Sequence, residues 1–181
     1  MQKIVVIDYD PDWPRVFELL RTEIWSVLRD IALAIEHVGS TSVVGLAAKP
    51  IIDISVIVPT NEDIPISINR LATLGYIHRG NLGIEGREAF ISPSQLPTHH
   101  LYLCPQHSLG LANQLAVRDY LREHPEIARE YGNLKKQLAN DFPNDITSYI
   151  DGKTDLILSI LRSTQFSLDQ LNAIERANRK S

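Results

Sequence analysis

Residues 51–58 read IIDISVIV, a run of β-branched side chains interrupted by one acid, Asp53. Strand alternation puts Ile52, Ile54, Val56 and Val58 on one face, which must be core. Asp53 and Ser55 share the other face with Ile51 and Ile57. A carboxylate in such company is costly unless it is paired, solvated or bound to a cation. One loop earlier stands Gly39-Ser40-Thr41-Ser42. Glycine lets backbone approach a ligand closely, and the N–H groups and hydroxyls of Ser40, Thr41 and Ser42 suit a phosphate cradle. Pro50 keeps Lys49 extended at the entry to the strand. Each feature also has an ordinary reading, a solvated turn and a hydrogen-bonded strand acid. Their separation by a single loop makes them support one another.

Two further groups of residues could join this centre. In THHLYL, alternation places His99 with Leu101 and Leu103, and His100 with Tyr102. If the leucines face the core, His100 and Tyr102 face the Asp53 side. There His100 is a candidate metal ligand, acid–base group or phosphate contact; its ordinary reading is a hydrogen-bonded strand histidine. The basic candidates are Arg87, Arg118, Arg122, Lys135 and Lys153. Arg118 and Arg122 lie one helical turn apart, and Lys153 interrupts an apolar stripe of Ile146, Ile150, Ile157 and Leu161. A helical region folded over the sheet would carry several of them to the phosphate site; otherwise they are solvated surface. Asp119 and Tyr149 either bind or fix that region in place.

The elements that must position these residues are legible from pattern. Residues 4–7 suggest a short edge strand. Asp12 is a candidate cap and Pro14 a first-turn residue for a helix running to about residue 30. Strands are expected at 31–38 and 51–58, a helix at 63–74 stopped by Gly75, and short strands at 76–79, 87–92 and 98–104. The rest reads as helix: 108–123, a second opening at Pro125, a third from about 145 to 161 with Asn144 as a candidate cap, and a fourth over 167–179. The plan is α+β, one domain over residues 1–181. A sheet-containing core occupies about 1–106, and a helical C-terminal lobe about 107–181.

Composition narrows the function classes. A net charge of -4 and a pI near 5.8 argue against a general nucleic-acid binder. Cys104 is the only cysteine, which excludes an internal disulfide and a cysteine-ligated zinc site. The opening MQKIVVIDYDPDWP does not read as a signal peptide, and no apolar run approaches the roughly 20 residues that span a bilayer. A cytoplasmic protein without membrane contact is expected.

The stretch IEHVGSTSVVGLAAKPIIDI resembles the signature of the GrpB family, a group assigned to the nucleotidyltransferase superfamily. The resemblance extends through YDPDWP, GREAF, THHLYL, RDYLREHPEIAREYGNLKKQLA and the segment from Tyr149 to Lys153. It implies a nucleotidyltransferase-like small mixed sheet with flanking helices. In that superfamily a Gly-Ser pair holds nucleotide phosphates, and two acids on the next strand, spaced Asp-x-Asp or Asp-x-Glu, hold Mg²⁺. Gly39, Ser40 and Asp53 match; the second acid position is Ser55, a poor ligand for a hard cation. Glu36 is the substitute metal ligand to test. The resemblance thus implies a nucleoside triphosphate or other phosphorylated ligand with Mg²⁺, and transfer to an acceptor. The alternative is a non-catalytic module for a phosphorylated metabolite, a coenzyme or an RNA end. The acceptor and the oligomeric state are left open.

Overall fold

A computed structural model describes residues 3–179. Helix α1 (Trp13–Leu28) presents Trp13, Phe17, Leu20, Ile24 and Leu28 as one buried stripe. It leads into β1 (Ala34–Val38), a 3-10 turn over Ser40–Ser42, and β2 (Ile52–Val58). Helix α2 (Ile64–Thr73) follows, then β3 (Ile77–His78), β4 (Glu88–Ile91) and β5 (His99–Pro105). The helical lobe comprises α3 (Leu109–Glu123), α4 (Pro125–Asp141), α5 (Ile146–Arg162) and α6 (Leu168–Asn178).

The five strands form one mixed sheet in the order β1-β2-β5-β4-β3. β2 and β5 run parallel at its centre, and the other pairings are antiparallel. The apolar alternation of β2 is realised as expected. Ile52, Ile54, Val56 and Val58 are buried with Leu101 and Leu103 under α1 and α2. On the other face Ile57 and Cys104 meet Leu111 of α3, and this is where the helical lobe joins the sheet. Lobe and loop also share a core: Val43 and Leu46, just after the Gly-Ser turn, pack against Leu121, Tyr131 and Ile160. The lobe therefore grips the very loop that carries Ser40. The α+β plan, with a mixed sheet, flanking helices and a C-terminal helical lobe, is the observed architecture.

Several local expectations need correction. Residues 4–7 form no strand: Ile7 makes a single bridge with Ala48, and the Ile4 N–H donates to the Pro143 carbonyl. β1 begins at Ala34 rather than residue 31, because the N–H groups of Ile31 and Ala32 still donate to the last carbonyl of α1. Asp12 does not cap α1; its carboxylate is taken by Arg15. The cap of α5 is Asp145, which accepts from the Ser148 N–H, in place of Asn144. Gly75, at φ +88°, does stop the segment after α2.

Candidate functional site

Register decides what surrounds Asp53. Val38 on β1 lies opposite it, and His100 on β5 lies on its other side. His100 Nδ1–H donates to Asp53 Oδ1 at 2.8 Å. Gly39 adopts φ +68°, and a Cβ there would stand 2.3 Å from Asp53 Oδ2. Only glycine, with its freedom at positive φ and no side chain, lets the turn press against that carboxylate. Asp53, Gly39 and Ser40 line a cleft of about 230 Å³ closed on its far side by α3, Tyr131 of α4 and Lys153 of α5.

Of the three hydroxyls in the turn, only that of Ser40 serves this cleft. Thr41 is buried, bridging His37 and the Ile51 carbonyl. Ser42 folds back onto the Gly39 carbonyl at 2.6 Å. Both hold the turn in shape. His37, stacked on Phe17, is pushed down to about 4 by burial and stays neutral.

The lobe supplies the cleft's charge. Lys135 is only 2% exposed, yet its ammonium has no ion-pair partner among the described residues. It donates to Ser40 Oγ at 2.7 Å and rides over the Tyr131 ring, 4.5 Å from the centroid. Lys49 and Lys153 both sit over the Tyr149 ring, at 5.7 and 5.0 Å. Neither makes a hydrogen bond or ion pair among the described residues. Cation–π contact offsets part of their desolvation. Burial, with Lys49 alongside, pushes Lys153 down to about 8. Burial and Lys153 hold Lys135 well below the usual lysine range, with Asp53 pulling the other way. Lys135 and Lys153 thus share the field of one carboxylate, Asp53, while Lys49 adds like charge to both. An arrangement of that kind attracts an anion.

The remaining candidates are spoken for. Glu36 turns to Arg118 (2.6 Å), whose side chain is 10% exposed and also holds Asp119 and the His37 carbonyl. Arg122 donates to the Ser42 carbonyl. Arg87 lies behind Tyr102, its guanidinium 4.6 Å from the ring centroid and its Nε buried without a hydrogen-bond partner among the described residues. His99 faces the core, bonded to Tyr76 and the Pro97 carbonyl. Ser55, at the second acid position, is fully buried and donates to Gln114 Oε1 at 2.6 Å.

This donor set does not fit a resident Mg²⁺. The carboxylates of Asp53 and Glu36 are engaged separately, one by imidazole and one by guanidinium. No cluster of three carboxylate, histidine or cysteine side chains forms among the described residues. The lysines add like charge where a hard cation would need oxygen. The metal centre expected from Asp53 and Glu36 is not assembled.

Sequence reasoning undervalued Lys135 and did not single out Tyr131, Asn113 or Gln114. The signal for Lys135 was present: it lies one turn after Tyr131 on the buried face of α4, breaking an apolar stripe as Lys153 does in α5.

The profile of the family described as GrpB protein matches residues 3–163. The chain belongs to the GrpB family. Among its GrpB relatives, the UPF0157 protein YqkA of Bacillus subtilis is 38% identical over 156 residues, which cover 86% of this chain and 46% of YqkA. This chain therefore spans less than half of that relative. The glutamate-rich protein GrpB of Alkalihalophilus pseudofirmus is 32% identical, covering 88% of this chain and 94% of its own. The crystal structure of the conserved protein GrpB from Enterococcus faecalis superposes with a TM-score of 0.78 at 35% identity, over 95% of this chain and 98% of that one. A much looser match, TM-score 0.47 at 12% identity, is to the Cid1 poly(U) polymerase with MgGTP bound, covering 76% of this chain and 44% of that one.

Proposed function

We propose that this GrpB chain binds the phosphate groups of a nucleotide or other phosphorylated small molecule in the cleft between Ser40 and the lobe. The observation that carries this reading is the pair Lys135 and Lys153, without carboxylate partners among the described residues, at the cleft that holds the Ser40 hydroxyl, with Lys49 adding positive charge nearby. A buried ammonium is retained against its desolvation cost only where a partner compensates it. Here the partner is the ligand. Gly39 supplies close backbone approach, Ser40 a hydroxyl, and Asp53, held by His100, a polar wall beside them. Because the charge is built from lysines, binding does not need a metal.

Isothermal titration with ATP, CTP, GTP and coenzyme A, each with Mg²⁺ and with chelator, tests the proposal. Binding that persists in chelator and disappears in Lys135→Met supports it. Binding that requires Mg²⁺ and is abolished by Asp53→Asn overturns it in favour of a metal-dependent site.

One observation favours a second reading, nucleotidyl transfer. Asp53 fixes His100 through Nδ1, which leaves Nε2 free to take a proton from an acceptor hydroxyl. That ring is 46% exposed, as an acceptor's approach requires. Pyrophosphate release from a triphosphate, lost in His100→Gln with ligand affinity intact, is the result this reading demands.

A further inference from the structure

A second cavity, about 640 Å³, opens beside the cleft, between the 83–86 loop, the start of α3 and the inner face of α6. Asn113 and Asn178 line both spaces, so the two run together. Its size falls within the roughly 300–1,000 Å³ of small-molecule sites. Its character differs from the cleft's. Ile84, Leu109 and Ile174 give it apolar walls, and its two charged lining residues, Glu85 and Arg176, carry opposite signs. At the junction, the carboxamides of Asn113 and Asn178 have no hydrogen-bond partner among the described residues. A free carboxamide presents donor and acceptor in one plane, the pattern that pairs with the edge of a nucleobase.

We infer, resting on the phosphate reading above, that this cavity is a second subsite for the ring-bearing end of the same ligand, and that the ligand class is nucleoside polyphosphates. The phosphates lie among Lys135, Lys153 and Ser40. The base passes the two asparagines and enters the larger cavity against Ile84, Leu109 and Ile174. Two ammonium groups, reinforced by the charge of nearby Lys49, against the single Asp53 carboxylate suit a chain of phosphates better than one ester. The α6 wall lies beyond residue 163, where the match to the family profile ends. Base preference is therefore set in part by a helix outside the matched region.

The test is titration of the full chain with tripolyphosphate, ATP, CTP, GTP and UTP. At least one nucleotide should bind ten-fold or more tightly than tripolyphosphate. Ala173→Trp, which fills only the larger cavity, should erase that preference and leave tripolyphosphate within about two-fold. Asn172→Trp, on the outer face of the same helix, should change neither. If Ala173→Trp melts early by circular dichroism, Ile84→Ala, which removes an apolar wall of the larger cavity alone, carries the same prediction. Equal affinity for all five ligands, or a preference that survives both substitutions, overturns the subsite. Nucleotide binding that Ala173→Trp removes, without any tripolyphosphate binding, would instead sink the phosphate reading and leave the ring subsite standing.

Discussion

Replacing Lys135 with methionine separates a ligand-binding lysine from a structural one. The side chain is 2% exposed and its ammonium keeps a single hydrogen bond, to Ser40. A charge-assisted hydrogen bond contributes about 1.5–3 kcal/mol. Against it stands desolvation of an ammonium, several kcal/mol even after relaxation, and repulsion from Lys49 and Lys153. The balance favours the uncharged, similarly shaped methionine by about 1–2 kcal/mol. In a chain of this size that raises Tm by roughly 2–8 °C. Ligand binding should move the other way. A unit charge 4 Å from a phosphate oxygen is worth about 4 kcal/mol at an effective dielectric of 20. Allowing for the ammonium's own desolvation, the loss is on the order of 100-fold. Thermal melting by circular dichroism and titration with tripolyphosphate read the two effects separately. A Lys135→Met protein that melts several degrees lower and binds phosphate as before would refute the reasoning, and Lys135 would be a packing residue. Stability gained where binding is lost is the common mark of a functional site.

Three further outcomes follow from the same geometry. Lys153 titrates near pH 8 in the folded chain and must be protonated to hold an anion. Phosphate affinity should therefore fall as pH rises through 8, by up to ten-fold per unit, in titrations between pH 7 and 9; a flat profile excludes Lys153 from the site. His37 is depressed from 6.5 to about 4, so the unfolded chain takes up a proton before the folded one does. Stability is full above pH 6.5 and falls by roughly 3 kcal/mol on acidification to pH 4. Denaturant titrations that show no smaller loss for His37→Phe than for the parent would contradict this. Gly39→Ala meets both positive φ and the Asp53 carboxylate. It should cost at least about 2 kcal/mol and disturb the cleft, whereas Gly45→Ala, at φ +81° with no neighbour within 4 Å, carries the backbone strain alone. Equal losses for the two would show that the close approach to Asp53 is unimportant.

The identity of the elements was legible because their signals are local. β-branched alternation announced β2, Pro125 opened α4, and Gly75 ended the segment after α2. The errors fell where a local pattern was overruled by a neighbour. Residues 4–7 look like a strand but find only one bridging partner, at Ala48. Asp12 looks like a cap but is drawn away by Arg15.

The candidate site divides along the same line. The anomalous strand acid Asp53, the Gly39-Ser40 turn and the facing of His100 follow from residue type and a two-residue period, so the sequence alone established them. Which side chains would meet across the cleft was a matter of long-range packing. Glu36 and Arg118 are 82 positions apart, and Ser40 and Lys135 are 95 apart. No spacing rule connects such pairs. Only the docking of the lobe on the Val43–Leu46 loop bound Glu36 to a guanidinium and brought Lys135 and Lys153 into the field of one acid. Charge balance is a property of the assembled cavity, because a carboxylate's preference for metal or for ammonium depends on which groups share its low-dielectric surroundings.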